Sequence, residues 1–168
     1  VDSGLDAACL KRYSRPIILP EVGLNGQKKL AASKVLVVGA GGLGSPCLYY
    51  LAAAGVGTIG IADHDVVEES NLHRQILFDQ NSLGMQKAEA AEQKIKALNS
   101  NVKTNIYLDA ITRDNLAAIV SLYDILVDCT DNFSARYALN DAAVAANIPI
   151  VHGAIHKFQG VLGVFNLP

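Results

Sequence analysis

A glycine-rich turn directly after a short apolar run is the feature that most restricts how this chain can fold. Residues 35–38 are aliphatic without polar alternation, which is typical of a strand buried on both faces of a parallel sheet. The turn at 39–44 leads into a segment predicted to be helical over 43–54, and a second apolar run follows at 58–62. This order predicts the first βαβ unit of a doubly wound sheet.

Three glycines of the turn, Gly39, Gly41 and Gly44, match the pattern G-x-G-x-x-G. Glycines permit backbone conformations with positive φ and bring N–H groups close to a ligand. The helix that begins there adds the positive end of its dipole. The turn therefore predicts an anion site for the phosphates of a nucleotide. NAD and ATP both fit this pattern, and a tight turn without a ligand is the structural alternative.

The stretch from residue 35 to residue 62 has no charged residue over 28 positions, which is long enough to suggest a membrane span. Seven glycines and Pro46 divide it into strand, turn, helix and strand, so we interpret it as a buried βαβ unit. Residues 1–4 have neither the basic nor the apolar region of a signal peptide, and none is expected.

Composition predicts one domain with a substantial core, since 51% of the 168 residues are hydrophobic. A net charge of −2 provides no field that would attract nucleic acid or an anionic membrane, so neither partner is expected. The thiols of Cys9, Cys47 and Cys129 are isolated and form no Cys-x-x-Cys pair. No disulfide framework or zinc site is predicted within the chain, and this cysteine usage favours a cytoplasmic protein.

Polar residues follow the predicted strands at the edge where a doubly wound sheet binds its ligands. Asp63 is placed to accept hydrogen bonds from ribose hydroxyls, with a turn or cap aspartate as the alternative, and Asp65 is interpreted as a turn residue. Asn132 is expected to cap the helix predicted at 133–146. Asp131 has two open roles, either electrostatic stabilisation of that helix start or a carboxylate that holds Mg²⁺ against phosphates.

The connection at 66–84 is long, and long loops tend to be functional or disordered. Within it we expect Leu72 and Ile76 to contact the core while Asn71 and Arg74 face outward. Arginine suits phosphate because its planar group offers two parallel donors and a permanent charge.

Lys87 is an unusual residue in the helix predicted at 85–98, which also contains a favourable Glu92–Lys96 pair. A cation in a first helical turn opposes the helix dipole, at a cost of ~0.3–1 kcal/mol unless an anion lies near. Lys87 is therefore either directed at phosphate or solvated at the surface. No histidine with an acidic partner is recognisable in the sequence.

Short helices are predicted at 5–13 and 25–32, before the glycine turn. Because proline disfavours a helical conformation at the residue before it, Pro16 predicts that Arg15 lies on an extended stretch. From spacing alone, Arg15 is best explained as a solvated surface residue.

The remaining elements complete an α/β fold with a doubly wound, mainly parallel, Rossmann-like sheet. Five further elements are predicted, namely strands at 102–108, 125–127, 148–151 and 160–165 and a helix at 113–122. The last of these strands is expected to be antiparallel. We divide the chain into an N-terminal helical segment, 1–33, and a nucleotide-binding domain, 34–168.

Taken together, these motifs resemble the MoeB/ThiF family of ubiquitin-activating-like enzymes, which adenylate the C-terminal glycine of small sulfur-carrier proteins. The resemblance runs from about Tyr13 to the end of the chain, and its combination of motifs is far more specific than any one of them. The residues that carry it are Arg15, Gly39–Gly44, Asp63, Ser70–Arg74, Lys87, Asp131 and Asn132.

The resemblance implies a role for each of these residues. It implies an ATP and Mg²⁺ site that includes Gly39, Gly41, Gly42, Asp63, Ser70, Asn71, Arg74, Lys87, Asp131 and Asn132. Within that set the glycines let the backbone approach ATP, Asp63 takes the ribose, and Asp131 helps place Mg²⁺. Asn71, Arg74 and Lys87 would contact the phosphates. Arg15 resembles an arginine that reaches across a homodimer into the partner's ATP site, and it joins Arg74, Lys87 and Asp131 as an implied catalytic residue.

The chain departs from the family pattern in its last part. Family members usually continue with two Cys-x-x-Cys pairs for structural zinc, a carrier-binding region and often a reactive cysteine. None is present here, so we expect a C-terminally incomplete adenylation domain that is inactive alone, with zinc only in the missing part. Two alternatives stay open: an NAD(P)-dependent oxidoreductase, favoured by the glycines and Asp63, and a non-catalytic nucleotide-binding module. The carrier, and with it the molybdopterin, thiamine or tRNA-thiolation pathway, is not fixed by the sequence.

Overall fold

A computed structural model describes residues 6–109 and 111–167, and in these ranges it forms a six-stranded sheet with helices on both faces. The strands are β1 Lys34–Val38, β2 Thr58–Ala62, β3 Lys103–Tyr107, β4 Ile125–Asp128, β5 Ile150–His156 and β6 Gln159–Phe165. The helices are α1 Ala7–Arg12, α2 Ser14–Ile18, α3 Gly23–Ala32, α4 Gly44–Ala54, α5 Lys87–Leu98, α6 Arg113–Val120 and α7 Phe133–Ala146. Two short 3₁₀ turns lie at Glu69–Asn71 and Gln80–Ser82. The expected helix start at Leu5 lies outside the described residues.

The strand order is β3-β2-β1-β4-β5-β6. All neighbouring pairs are parallel except β5 and β6, which are antiparallel. This arrangement confirms the doubly wound, mainly parallel fold and its antiparallel last strand. The order reverses between β1 and β4, and this switch point opens a crevice at the carboxyl ends of the strands.

The core lies on both faces of the sheet, which explains the uninterrupted apolar run of β1. Val35 and Val37 pack with residues of α4 and α5 on one face, whereas Leu36 and Val38 pack with residues of α6 and α7 on the other. Successive strand residues point to opposite faces, so a strand covered on both sides needs apolar residues at every position.

The N-terminal helices are joined to the sheet domain by buried polar contacts. The Tyr13 hydroxyl accepts a hydrogen bond from Asn99 Nδ2 (2.8 Å), and the same amide donates to the Ala52 carbonyl (2.8 Å). The fully buried Gln27 donates to the Ala54 carbonyl (2.9 Å). These contacts connect the helices before β1 with α4 and with the end of α5.

Replacing Asn99 by alanine is expected to lower the free energy of unfolding by about 1–3 kcal/mol, because two buried acceptors lose their donor. Urea denaturation measures the change. The matched control is Asn101→Ala, which removes an exposed amide two residues away and is expected to change stability by less than about 0.5 kcal/mol. Equal effects of the two substitutions would show that the buried contact contributes little.

The expected extended conformation of Arg15 is wrong. Arg15 and Pro16 both lie inside α2, and the Ile17 N–H donates to the Tyr13 carbonyl (3.1 Å). Pro16 is accommodated because it lies in the first turn of the helix, where a missing N–H leaves no carbonyl unpaired. The Arg15 side chain is exposed, as its spacing predicted.

The fifth strand also differs from its prediction at 148–151. Asn147 ends α7 in the left-handed conformation, and the Ile148 N–H bonds back to the Ala143 carbonyl (3.1 Å). Strand β5 therefore begins only at Ile150, after Pro149, and continues to His156 because β6 pairs with its full length. Among the described residues, no helix is long and apolar enough to cross a membrane.

Candidate active site

A cleft of about 870 Å³ opens at the carboxyl ends of β1, β2 and β4. It collects most of the site residues expected from the sequence, although they are spread over almost a hundred positions. Those that line it are Gly39, Gly41, Gly42, Asp63, Asn71, Arg74, Lys87, Asp131 and Asn132. Arg15 and Ser70 do not line it.

Two glycines of the turn are required by the fold itself. Gly39 has φ +91°, and a Cβ atom there would lie 2.8 Å from the Cys129 carbonyl oxygen. A Cβ atom on Gly44 would lie only 1.8 Å from the Gly39 carbonyl oxygen. Glycine at these positions therefore allows the turn, β4 and the start of α4 to pack together.

Gly41 and Gly42 have a different environment. Among the four glycines of the turn, only Gly39 has a positive φ. The protein atoms nearest to a Cβ on Gly41 or Gly42 would be Gln75 Nε2 at 3.7 Å and Arg74 Cδ at 3.8 Å, which are ordinary contacts. The fold would accept a methyl group here, so the absence of side chains mainly keeps the backbone open to the cleft.

The first turn of α4 is suited to an anion. No side chain caps this helix end, and no acidic residue lies in its first turn. The positive end of the helix dipole therefore faces the cleft with no acidic residue in the helix's own first turn.

Asp63 is held rigidly at the end of β2. Its Oδ2 accepts a hydrogen bond from the Ala40 N–H (2.7 Å), and its Oδ1 accepts from the Asp65 N–H (2.9 Å). The first of these bonds ties the carboxylate to the glycine turn. Each oxygen keeps a further lone pair with which it can accept a hydrogen bond from a ligand hydroxyl.

Lys87, the first residue of α5, is not a solvated surface lysine. Its side chain is 7% exposed, and Nζ lies 2.8 Å from Asp65 Oδ2. The hydrogen bond from Lys87 lowers the pKa of the Asp65 carboxyl from its ordinary value. Asp65, interpreted from sequence as a turn residue, is therefore the partner of Lys87 on the cleft wall, and no local pattern indicates a pair 22 residues apart.

The segment between β2 and α5 is arranged differently from its prediction. Leu72 packs against the core, but Ile76 is exposed and does not contact it. Asn71 is buried rather than outward-facing, and its Oδ1 accepts a hydrogen bond from the Glu68 N–H (3.2 Å). Asn71 ends the 3₁₀ turn Glu69–Asn71, and this hydrogen bond to the residue that caps the turn holds its side chain inward.

Arg74 is exposed at the edge of the cleft, as expected. Its Nη1 donates to the Ser70 carbonyl (2.9 Å) and lies 2.9 Å from His73 Nε2. The Ser70 hydroxyl donates to Glu68 Oε2 (3.2 Å). Ser70 therefore supports Arg74 through its backbone and does not line the cleft with its side chain.

The loop after β4 presents Asp131 and Asn132 to the cleft. Asn132 Oδ1 accepts a hydrogen bond from the Ala135 N–H (2.8 Å), which confirms the predicted cap of α7. Asp131 is exposed and makes no hydrogen bond or ion pair with the described residues. A free carboxylate at this position is available to a cation or to a ligand donor.

Two features of this region were missed by sequence reasoning. A histidine with an acidic partner exists, since His152 Nδ1 lies 2.7 Å from Oδ2 of the buried Asp128. Arg136 also lines the cleft and donates to the Thr130 carbonyl from Nη2 (2.8 Å) and Nε (3.3 Å). The strand-end position of Asp128 was a usable signal, but its pairing with a residue on β5 requires knowledge of the sheet order.

The thiols of Cys47 and Cys129 also meet behind the glycine turn. The interaction with the Cys129 side chain lowers the pKa of Cys47, and the interaction with Cys47, together with burial, raises the pKa of Cys129. All three cysteines are free, and Cys129 lines the cleft. The two thiols are therefore not isolated from each other, as sequence spacing had suggested.

The fold and the cleft define a doubly wound α/β protein with a polar cleft at its switch point. The chain belongs to the ThiF family, whose sequence profile matches residues 13–168. It is 48% identical over 159 residues to the sulfur carrier protein adenylyltransferase of Thermus thermophilus, covering 95% of this chain and 59% of that protein. It is 48% identical over 156 residues to the SAMP-activating enzyme E1 of Haloferax volcanii, covering 93% of this chain and 58% of that protein.

Solved structures are similar over most of the chain. A crystal structure of PaaA has a TM-score of 0.85 and 27% identity, covering 95% of this chain and 52% of that one. A crystal structure of E. coli MccB with ATP has a TM-score of 0.78 and 30% identity, covering 83% of this chain and 42% of that one. The chain thus spans between 42% and 59% of the length of these relatives and structures.

Proposed function

We propose that the protein containing this chain catalyses ATP-dependent adenylation of the C-terminal glycine of a ubiquitin-like sulfur-carrier protein, with release of pyrophosphate. The observation that supports it is the convergence of the glycine turn, Asp63, Arg74 and Lys87 on one cleft in a member of the ThiF family. The names of two relatives, a sulfur carrier protein adenylyltransferase and a SAMP-activating enzyme E1, favour this activity over an NAD(P)-dependent oxidoreductase.

The cleft suits a nucleoside triphosphate in size and in polarity. Gly41 and Gly42 leave backbone amides accessible to phosphates at the start of α4, and Asp63 is oriented to accept from ribose hydroxyls. Lys87 keeps two further ammonium N–H groups beyond its bond to Asp65, and these can contact phosphate oxygens. Arg74, at the exposed edge, would bind with its planar donor pair.

Asp131 fits the role of a Mg²⁺ ligand. Residues 6–109 and 111–167 contain no group of three His, Cys, Asp or Glu residues that could hold a metal ion by themselves. Mg²⁺, however, is commonly bound through one or two carboxylates together with substrate phosphates and water. The unpaired Asp131 carboxylate on the cleft wall suits that arrangement, and the ion would neutralise phosphate charge.

The chemistry needs charge neutralisation and alignment more than proton transfer. The carrier carboxylate attacks the α-phosphorus, a new C–O–P bond forms, and the bond to pyrophosphate breaks. Both reactants are anionic, so Arg74 and Lys87 would act by lowering their repulsion and fixing their geometry. A carboxylate is already a nucleophile, so no general base is required, and the Asp128–His152 pair does not line the cleft.

The proposal also includes a homodimer, in which Arg15 of one copy acts at the ATP site of the other. It is exposed on α2 and lies outside the cleft of its own chain. A role for Arg15 in catalysis therefore requires a second copy, into whose ATP site the guanidinium would reach.

The proposal is tested by carrier-dependent exchange of labelled pyrophosphate into ATP, using the complete protein that contains this chain. Exchange is expected with a carrier that ends in Gly-Gly, and the matched control is the same carrier without its two terminal glycines. Binding of NAD without ATP would favour the oxidoreductase. Binding of ATP without exchange for any carrier of a tested panel would indicate a non-catalytic nucleotide-binding module.

A further inference from the structure

We propose that His152 is a positioning residue that holds the loop carrying Asp131 in its ligand-binding conformation. It would act through Asp128 and Thr130 without touching the nucleotide. This inference rests on the proposed function, since it assigns a structural support to the Mg²⁺-binding carboxylate. His152 does not line the cleft, so a direct role there is not part of the proposal.

The support begins with a buried carboxylate at the end of β4. Asp128 is 1% exposed, and both of its oxygens are used. Oδ1 accepts from the Thr130 N–H (3.0 Å) and from the Thr130 hydroxyl (2.7 Å), which closes a tight turn at the start of the loop. Oδ2 lies 2.7 Å from His152 Nδ1. Nδ1 must therefore carry a proton and donate to the carboxylate.

The same loop is held on its other side by α7. Arg136 donates to the Thr130 carbonyl from two nitrogens, at 2.8 and 3.3 Å. Asn132 caps the first turn of the helix. Asp131 lies between these two anchors, so the direction of its carboxylate depends on Thr130 and Asn132 keeping their positions. Asp131 itself is exposed and makes no hydrogen bond or ion pair with the described residues.

His152 is the hydrogen-bond partner of Asp128 that lies outside the loop. It lies on β5, in register with Asp128 in the parallel pair of β4 and β5. Among the described residues, no lysine or arginine contacts Asp128, and Oδ2 has no other donor. A buried carboxylate that loses its donor is costly to keep, so Asp128 would rotate or recruit water. Either response would weaken the hydrogen bonds between Thr130 and Asp128. Asp131, the next residue, would then no longer be held in one position.

The test compares His152→Leu with His152→Asn in the complete protein. The Asn amide nitrogen takes the position of Nδ1 and keeps the donor, whereas leucine removes it. Calorimetric titration of ATP at increasing MgCl₂ is expected to show about a tenfold higher Mg²⁺ requirement for His152→Leu, because a hydrogen bond to a charged group is lost. His152→Asn is expected to stay within about twofold of the unchanged protein.

Hydrogen–deuterium exchange supplies a readout that does not depend on ATP. Exchange at residues 129–132 is expected to be faster in His152→Leu and unchanged in His152→Asn. His156→Ala, an exposed histidine on the same strand, is the control and should alter neither measurement. If His152→Leu does not fold, His152→Gln replaces it, since its amide donates from the Nε2 position rather than from Nδ1.

Three outcomes would overturn the inference. One is a lower melting temperature for His152→Leu with unchanged Mg²⁺ requirement and unchanged exchange at 129–132. Another is an equal increase in the Mg²⁺ requirement of His152→Asn and His152→Leu. A third is a double variant with Asp131→Asn that requires more Mg²⁺ than Asp131→Asn alone, because His152 would then act elsewhere. Failure of the unchanged protein to bind ATP would instead reject the proposed function. Hydrogen–deuterium exchange at residues 129–132 would still decide the role of His152.

Discussion

Replacing Lys87 by alanine is expected to reduce carrier-dependent pyrophosphate exchange by about 100- to 1,000-fold, the usual effect of removing one group that stabilises transition-state charge. The fold should survive the change. Lys87 contributes a buried aliphatic stem, whose loss costs on the order of 1 kcal/mol. Asp65, its partner, is 56% exposed and stays solvated without it. Exchange assays and urea denaturation of the same preparations separate the two effects.

Lys96→Ala is the matched control for Lys87→Ala. Lys96 lies on the same helix and also forms an ion pair, with Glu92 at 2.8 Å, but it is 55% exposed and outside the cleft. Its removal should leave exchange unchanged. Arg74→Ala is expected to reduce exchange in the same way as Lys87→Ala, with little loss of stability because Arg74 is exposed. Full exchange in both variants would reject the proposed binding of phosphates by these two side chains.

Gly44→Ala is expected to lower the free energy of unfolding by more than about 3 kcal/mol, beyond the usual cost of overpacking. The new methyl group would lie 1.8 Å from the Gly39 carbonyl oxygen. Both atoms belong to the rigid junction of β1 and α4, so the clash can be relieved only by moving the helix away from the sheet. Urea denaturation or the yield of folded protein measures the effect.

Gly41→Ala, three residues away, is the matched comparison. Its methyl group would find the nearest protein atom, Gln75 Nε2, at an ordinary 3.7 Å, so stability should change by less than about 1 kcal/mol. The same methyl group would obstruct the approach of a phosphate, and ATP affinity is expected to fall at least about tenfold, equivalent to about 1.4 kcal/mol. Unchanged ATP binding in Gly41→Ala and Gly42→Ala would mean that the turn does not contact the nucleotide.

Much of the fold could be predicted from the sequence because it is encoded locally. Strand β2 matches its predicted bounds and β1 differs by one residue. A short apolar run enclosed by turn signals is typical of a buried strand, and the turn signals set its ends. The Glu92–Lys96 pair and the Asn132 cap were also predictable, because helical geometry brings residues three or four positions apart together. Six of the nine site residues in the cleft follow the ends of parallel strands, which lie at one edge of the sheet, namely Gly39, Gly41, Gly42, Asp63, Asp131 and Asn132. The other three, Asn71, Arg74 and Lys87, were grouped with them by the family resemblance.

Only the tertiary structure decided which distant side chains are partners. The Lys87–Asp65 and His152–Asp128 pairs join residues 22 and 24 positions apart, and the second joins two different strands. The sequence determined that a sheet edge would gather glycine amides and charged side chains. Which of those charges are free and which are already paired depends on strand order, register and burial. These are properties of the packed chain, which no short segment of the sequence encodes.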